Sequence, residues 1–397
     1  MDCPTRQRRP AVTRPEPPPG WGQSLAAGAA GIALLHTELA HADTSHLPTA
    51  HRWTRAMTSE PVTANAQATG LFRGAPAVAF VLHAAARPGY ASALSALDSH
   101  ITTLVRHRLL RAHERIDRGE LPALAEFDLI SGLTGLGVYL LHRHGGGDLL
   151  TEVLAYLVRL TDPLHLDGQT LPGWWSGQPP ADQPAHRFPG GHGNLGIAHG
   201  IAGPLALLAT ATRHGTTVAG QPEAIDRIRG WLEHWRCGTQ ARPWWPGRIS
   251  LAESRAGTVG QAGPQRPSWC YGTPGLARAQ QLAALALDDQ RSARRAEQAL
   301  AGCVADAQQL TQLVDSSLCH GWAGLVHTVW RTAGDATGDE LAARLPTLRD
   351  RLSAHLHRPG PPAHDGLLEG TTGVRLVQHT RTGPPVTGWD AVLLLAG

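Results

Sequence analysis

Hydrophobic positions in this chain gather into short apolar runs that begin at glycine, and polar positions concentrate in the longer segments between them. Seven times, two or three residues lead into a Gly-x-x-Gly step and an apolar run, as in LISGLTGLGVYLLH and IAHGIAGPLALLA. The second copy departs from this pattern, with Ala77 at the second glycine position. The first glycines of the copies are Gly28, Gly74, Gly132, Gly200, Gly272, Gly321 and Gly370. Self-similarity of this kind predicts a repeat protein.

The segments between the repeats are amphipathic. First glycines are 46 to 72 residues apart, and most gaps contain a helical pattern such as SALSALDSHITTLVRHRLL. The glycine-led runs carry little charge, as inner helices buried on all sides would, and the charged segments suit an outer layer. Helix pairs that cannot bury their own apolar faces stack on their neighbours, either as an open solenoid or as a closed ring. We expect an all-α fold, an α/α toroid of seven inner and seven outer helices.

The ends and the apolar content of the chain indicate its domain organisation. Residues 1–20 are rich in proline and arginine and have no apolar core of a signal peptide, so we expect a disordered tail there. Residues 21–397 are expected to form a single domain. The longest apolar run, AAGAAGIALL, is too short to cross a bilayer, which predicts a soluble protein without a transmembrane segment.

Composition excludes several function classes. The net charge of +3 is small for 397 residues and the arginines are scattered, which argues against nucleic acid as a partner. The sequence contains no lysine, which excludes a P-loop lysine, a Schiff-base lysine and a lysine general base. Five cysteines are too few and too uneven for a disulfide framework, and they favour a reducing, cytoplasmic location.

Alignment of the repeats on their first glycine brings together a set of metal-ligating residues. Cys270 and Cys319 each stand two residues before that glycine, and His320 follows Cys319. Two thiolates and one imidazole are typical zinc ligands, and a fourth position left open is typical of a catalytic site. His199 occupies the position equivalent to His320 and is either a fourth ligand or a proton donor. The alternative, two buried cysteines and a core histidine, requires coincidence at three aligned positions.

Three motifs in the C-terminal half, GNLGIAHGIAG, WCYGTPG and LCHGWAG, closely resemble those of the lanthionine synthetase C family, the LanC-type lanthipeptide cyclases. The repeats extend the resemblance from about residue 20 to the end. It implies an α/α toroid that holds one Zn²⁺, with Cys270, Cys319 and His320 as ligands. By motif position it also implies active-site roles for four residues, His199, Asp128, Arg266 and Tyr271.

The resemblance also implies a reaction. Such cyclases add a cysteine thiol of a modified precursor peptide to dehydroalanine or dehydrobutyrine and so close thioether rings. Attack by the thiolate gives an enolate that must be protonated, a role we assign to His199 because the pKa of histidine lies near neutral pH. We expect Asp128 to orient His199, although a helix N-cap is an equally good interpretation of this aspartate. Arg266 is expected to pair with Asp128, or else to be a solvated loop charge, and Tyr271 to orient substrate or to form a wall.

The expected substrate is a dehydrated precursor peptide, leader plus core. Because the whole chain is needed for the toroid, dehydration is assigned to a separate dehydratase, and an exporter is a further expected partner in a biosynthetic assembly. Three alternatives stand beside this reading: a LanC-like protein that adds glutathione or another free thiol, a prenyltransferase-type toroid, and a non-catalytic scaffold. The paired cysteines argue against the prenyltransferase ligand set. His192 and Asn194, near the first motif, have no assigned role.

Overall fold

The glycine-led segments form helices in the computed structural model, which describes residues 18–166, 168–180, 182–358, 364–380 and 383–397. Numbered in chain order, the seven inner helices are Ala29–Ala42, Ala75–Ala84, Leu133–His144, Ala202–Arg213, Thr273–Ala286, Trp322–Asp335 and Thr371–His379. Inner helix 4 buries ten of its 12 residues. Six of them begin directly after the first glycine of a repeat and inner helix 4 begins two residues after Gly200, so their N-termini lie at the same end of the fold.

The amphipathic segments form an outer layer of helices. In chain order, outer helices 1 to 6 are Leu47–Met57, Ala91–Asp117, Asp148–Arg159, Gln221–His234, Gln290–Ala305 and Glu340–Leu356. Outer helix 2 buries only seven of its 27 residues, which agrees with its one-sided apolar pattern. Short helical turns at Leu124–Phe127, Leu251–Ala256 and Ala307–Leu310 lie in the connections.

The second glycine of each step is required by a close approach of the backbone. A Cβ atom placed on Gly324 would lie 2.0 Å from the carbonyl oxygen of Leu318, and one placed on Gly275 would lie 2.1 Å from that of Trp269. The segment before each inner helix therefore folds back over the first helical turn at a distance that only glycine permits. In the second repeat this position is taken by Ala77, which is completely buried.

The repeats close into a ring through main-chain hydrogen bonds between their pre-glycine segments. The amide of Cys270 donates to the carbonyl of Cys319 (3.2 Å), and the amide of Cys319 donates to the carbonyl of Leu368 (2.8 Å). The amide of Leu368 donates to the carbonyl of Ala26 (3.0 Å), which joins the seventh repeat to the first. Equivalent bonds join repeats 1 to 2, 3 to 4 and 4 to 5. The closed α/α toroid predicted from the repeats is therefore confirmed.

The described chain has six outer helices, where seven were expected. After inner helix 7, residues 383–397 begin with Gly383 and a Pro-Pro pair that cannot continue a helix, and then turn inward. We call this segment the C-terminal plug. The carboxylate of Glu38 on inner helix 1 accepts from the amides of Val386 (3.0 Å) and Thr387 (2.9 Å). Asp390 of the plug, completely buried, accepts from Arg331 on inner helix 6.

Contacts with several inner helices place the C-terminal plug inside the ring, toward the C-terminal ends of these helices. The guanidinium of Arg278 on inner helix 5 donates twice to the carbonyl of Leu395, at 2.9 and 2.7 Å. A Cβ atom placed on Gly388 would lie 2.8 Å from Cε1 of His142 on inner helix 3. The bore of the toroid is therefore filled by the chain itself at this end.

The two long loops upstream of repeats 4 and 5 are fastened together by a pair of short strands. Strands β1 (Leu164–Leu166) and β2 (Gln169–Leu171) pair antiparallel, as do β4 (Cys237–Gly238) and β5 (Pro243–Trp244). Strand β3 (His192–Asn194) pairs with β6 (Arg248–Ser250). The β3–β6 pair joins one loop to the other beside the start of inner helix 4.

Two expectations concern the ends of the chain and the membrane. Residues 1–17 lie outside the described residues, so the disordered tail and the single domain from residue 21 remain predictions. No helix in the described ranges has the length and apolar character needed to span a membrane.

Candidate active site

The residues predicted to act together lie at the end of the toroid where the inner helices begin. Each stands in the segment that leads into an inner helix, and the ring hydrogen bonds bring these segments side by side. The N-terminus of an α-helix carries a partial positive charge, and seven of them face this end. We call this end the mouth. It favours thiolates, carboxylates and enolates over neutral groups.

Cys270 and Cys319 lie side by side at the mouth, where the amide of Cys270 donates to the carbonyl of Cys319 at 3.2 Å. The hydroxyl of Ser268 lies 3.7 Å from Sγ of Cys270. The nearby Cys319 thiol lowers the pKa of Cys270 to about 6 against the effect of burial, and Ser268 and the nearby positive charges act in the same direction. The same proximity raises the pKa of Cys319. The pair thus readily carries one negative charge.

His320 is held by carboxylates on both sides of its ring. Its Nδ1 lies 2.9 Å from Oδ2 of Asp315 and 3.1 Å from the hydroxyl of Ser317. Its Nε2 lies 3.6 Å from Oε1 of Glu369. The hydrogen bond with Asp315 raises the pKa of His320. A carboxylate on one ring nitrogen is the usual support for a histidine that binds a metal through the other.

Asp315 and Glu369 are absent from the sequence-based set. Glu369 could have been found, because it stands directly before the first glycine of the seventh repeat, the position of His199 and His320 in theirs. Asp315 lies five residues before His320 in a loop without periodicity, and nothing in the repeat pattern marks it.

His199 and Asp128 form the second histidine–carboxylate pair of the mouth. Nδ1 of His199 lies 2.6 Å from Oδ2 of Asp128. The other oxygen of Asp128 accepts from the amides of Ser131 (2.7 Å) and Gly132 (2.8 Å), which precede inner helix 3. Asp128 is not the N-cap of inner helix 3, which is Gly132 without a side-chain cap; its carboxylate instead holds the turn before that helix and contacts the ring of His199. Burial lowers the pKa of His199, but the hydrogen bond and charge of Asp128 outweigh burial and raise it overall.

The accessibility of this pair is uneven. The side chain of His199 is 43% exposed and that of Asp128 is 3% exposed. Within the described residues, Nε2 of His199 makes no hydrogen bond. The buried carboxylate therefore fixes a ring whose second nitrogen is available to a substrate.

Arg266 lies near the cysteine pair without its expected partner, and Tyr271 follows Cys270 directly in the chain. Asp128 forms no ion pair with Arg266 in the described structure, because both of its oxygens are used by His199 and by backbone amides. The positive charge of Arg266 instead acts on Cys270 and lowers its pKa. The hydroxyl of Tyr271 accepts from Nδ2 of Asn194 at 2.9 Å.

Asn194 and Arg248 are two further residues of the mouth. The β3–β6 pair places them opposite each other in register. The guanidinium of Arg248 lies 5.1 Å from the centre of the Tyr271 ring and donates to Asp182 at 2.8 Å. Arg248 lies in a long aperiodic loop, so no pattern in the sequence points to it. His192, two residues before Asn194 in β3, is buried, and its Nδ1 donates to the carbonyl of Gln178 (3.0 Å).

Comparison with known proteins identifies the family. The model of the family described as "Lanthionine synthetase C-like protein" matches residues 19–394. The chain belongs to this family. The lanthionine synthetase C-like chain is 25% identical over 364 residues to "Nisin biosynthesis protein NisC" of Lactococcus lactis subsp. lactis, which covers 89% of this chain and 84% of that protein. It also shares the fold of the solved structure "Nisin cyclase", with a TM-score of 0.80, 23% identity, and coverage of 95% and 93% of the two chains.

The donor set of this lanthionine synthetase C-like protein can be compared with the needs of a metal ion. Within the described ranges, no group of three or more His, Cys, Asp or Glu side chains is arranged to hold a metal. The chemistry of the set nevertheless fits zinc, because two cysteines lie side by side and the adjacent His320 has its Nδ1 occupied by a carboxylate. The missing element is the third donor, since Nε2 of His320 faces Glu369 instead.

Proposed function

We propose that this protein is a zinc-dependent lanthipeptide cyclase. It adds cysteine thiols of a dehydrated precursor peptide to dehydroalanine or dehydrobutyrine residues of the same peptide and forms lanthionine and methyllanthionine rings. The observation that carries the proposal is the adjacency of Cys270 and Cys319, joined by a main-chain hydrogen bond, at the same mouth as two carboxylate-held histidines, His199 and His320. Membership of the lanthionine synthetase C-like family supports it.

Cys270, Cys319 and His320 would hold the zinc ion. This requires Nε2 of His320 to exchange the Glu369 carboxylate for the metal while Nδ1 stays on Asp315. When bound there, zinc supplies an open coordination position at which a substrate thiol loses its proton near neutral pH. Arg266, whose charge reaches both cysteines, offsets the negative charge that a third thiolate adds to the site.

His199 protonates the product of the addition. The substrate thiolate forms a C–S bond to the β-carbon of the dehydroamino acid, and the π electron pair moves onto the carbonyl oxygen as an enolate. The enolate then takes a proton at the α-carbon from Nε2 of His199, which later regains one from solvent. Asp128 keeps the imidazolium charged and correctly turned, because its buried carboxylate is fixed by two backbone amides as well.

The positive surroundings of the mouth stabilise the enolate. The N-termini of the inner helices face the reaction, and Arg248 stands beside Tyr271 with its side chain 18% exposed. Preorganised positive groups aimed at developing negative charge are among the strongest contributions to catalysis. The hydroxyl of Tyr271, held by Asn194, is placed to orient the substrate carbonyl.

The substrate reaches this protein already dehydrated, so we propose a separate dehydratase as its supplier and an exporter as a further member of the assembly. Four cysteines of the described chain, Cys237, Cys270, Cys303 and Cys319, are free thiols, which supports a reducing, cytoplasmic location.

The decisive experiment measures zinc and ring formation in the same samples. Purified wild type, Cys270→Ala and Cys319→Ala are analysed for bound metal and then incubated with a dehydrated peptide that carries free cysteines. Thiol alkylation and mass spectrometry count the cysteines that remain. Cys303→Ala is the matched control, because this buried thiol bonds to Gln309 on the outer layer. We expect one zinc and full cyclisation in wild type and the control, and neither in the other two variants.

A parallel incubation includes glutathione. Glutathione adducts without rings would replace the cyclase proposal with addition of a free thiol. Rings formed by metal-free protein would overturn the zinc assignment, and metal without thiol consumption would indicate a scaffold.

A further inference from the structure

The C-terminal plug reaches from the far end of the toroid to the side chain of Trp269, in the loop that carries Cys270. The indole N–H of Trp269 donates to the carbonyl of Leu393 at 2.9 Å, in a bond between two completely buried residues. Trp269 directly precedes Cys270 in the chain. A residue of the plug, 124 positions later in sequence, therefore holds the neighbour of a proposed zinc ligand.

Trp269 is fixed from both sides. Its own carbonyl oxygen lies against inner helix 5, where a Cβ atom on Gly275 would approach to 2.1 Å. Its indole is tied to the plug. Cys270 follows with its amide bonded to Cys319, so the position of the thiol depends on how Trp269 is seated.

The backbone of the plug is shaped for this contact. Leu394 has φ at +52°, in the left-handed region that a leucine adopts only at an energetic cost. The turn at Leu394 directs the carbonyls on either side of it to different partners. Leu393 accepts from Trp269, and Leu395 accepts from Arg278. Strain of this kind persists where the surroundings determine the conformation, and it is concentrated at functional sites.

The plug itself is anchored by buried charges. Asp390 accepts from Nε2 of His327 at 2.7 Å and from Nη2 of Arg331 at 2.8 Å, both on inner helix 6. Glu38 binds the amides of Val386 and Thr387. These anchors make the plug a fixed part of the interior against which Trp269 can be positioned.

We propose that the C-terminal plug is a positioning element of the active site. The hydrogen bond from Trp269 to Leu393 sets the placement of Cys270 relative to Cys319 and His320, and so sets the geometry in which metal and substrate thiol are bound. The predicted effect of this bond on activity rests on the proposed function. Its predicted effect on the order of the loop that carries Cys270 does not depend on that function.

The test compares two tryptophans that share burial but differ in hydrogen bonding. Trp269→Phe removes the indole donor. Trp389→Phe is the matched control, because Trp389 lies in the plug, is completely buried, and has an indole nitrogen without a hydrogen-bond partner in the described chain. Both full-length variants are examined by amide hydrogen exchange of residues 266–272, by absorption after loading with Co²⁺, and by steady-state cyclisation.

Trp269→Phe should accelerate amide exchange at Cys270 and alter the Co²⁺–thiolate absorption. It should lower kcat about tenfold with KM little changed, as expected from loss of one buried hydrogen bond that acts on the catalytic geometry. Trp389→Phe should lower the melting temperature by a similar amount and leave exchange at Cys270, the spectrum and kcat as in wild type.

The proposal is overturned if the two variants change exchange at Cys270 equally, or if Trp269→Phe changes it no more than wild type fluctuates. Failure of the proposed function is a separate result, because wild type would then bind no metal or close no rings. Hydrogen exchange at Cys270 still decides the positioning role in that event.

Discussion

The buried carboxylate of Asp128 lies 2.6 Å from Nδ1 of His199 and at the same time accepts two backbone amides at the start of inner helix 3. The orientation of this histidine is thus tied to the framework of the toroid. The other nitrogen of the ring remains available at the mouth, where the proposed reaction needs a proton.

Asp128→Asn should shift the alkaline limb of the pH–rate profile to lower pH. Asp128 raises the pKa of His199 above its ordinary 6.5, so the acid form persists to higher pH in wild type. The pair stabilises the fold below pH 6.5, and this contribution is lost as pH rises through the raised pKa. The variant should lose kcat by about tenfold or more, as expected for a general acid. An unchanged alkaline limb, with the His199 ring followed by NMR, would contradict the assignment.

Asp315→Asn should weaken zinc binding by about 10- to 100-fold, the usual effect of removing the carboxylate behind a metal-binding histidine. The reason is that Asp315 holds Nδ1 of His320 at 2.9 Å. Competition with a chromophoric chelator measures the affinity. Asp289→Asn is the control, because Asp289 pairs with Arg229 on the outer layer and should leave zinc affinity unchanged. Equal affinities in the two variants would exclude the supporting role.

Gly324→Ala should destabilise the protein by about 3 kcal/mol or more, because the new methyl group collides with the backbone of Leu318. Gly334, in the same inner helix, has nothing within 4 Å of its Cβ direction. Gly334→Ala should therefore be neutral or stabilise by up to about 1 kcal/mol through helix propensity. Denaturant unfolding of both variants gives the comparison. Similar losses in both would mean that the close approach is not what selects glycine.

Asp390→Ala should cost about 3 to 5 kcal/mol, because it leaves the partly buried Arg331 without its partner. Burial raises the pKa of Asp390, but the hydrogen bonds from His327 and Arg331 reverse this and hold it well below the ordinary value. This stabilisation is present above the unfolded pKa and is lost as pH falls through the folded one. The stability of the variant should therefore fall less than that of wild type as the pH drops below about 5, which urea midpoints measured down to the lowest pH at which wild type stays folded will show. If the urea midpoints of wild type and variant decreased in parallel as the pH falls, this role of the Asp390 carboxylate in stability would be refuted.

The repeat pattern predicted much of the framework, because each glycine-led segment forms an inner helix that packs in the same way as the others. Equivalent positions in a ring become neighbours in space, which is why Cys270 and Cys319 could be paired from their distance to a glycine alone. The same alignment also places Glu369 at the position of His199 and His320, directly before the first glycine of its repeat.

Features outside the repeat were not predictable in this way. The expected pair of Arg266 with Asp128 does not form, because backbone amides and His199 use the carboxylate, and spacing along the chain does not record that competition. Arg248 meets Tyr271 through a strand pair only three residues long, too short for an alternating pattern to be visible. The C-terminal plug carries no repeat, and its inward path depends on buried charges on distant helices.

The bonds that close the ring join segments that are far apart in the chain. The amide of Thr387 binds Glu38 across 349 residues, and Leu368 meets Ala26 where the seventh repeat contacts the first. A nascent chain can stack its early helix pairs on the ribosome, but the ring cannot close until the seventh repeat and the C-terminal plug have emerged. The proposed catalytic residues are therefore synthesised before the ring that holds them in place can close. A prematurely terminated chain could contain every one of them and would still lack a working enzyme.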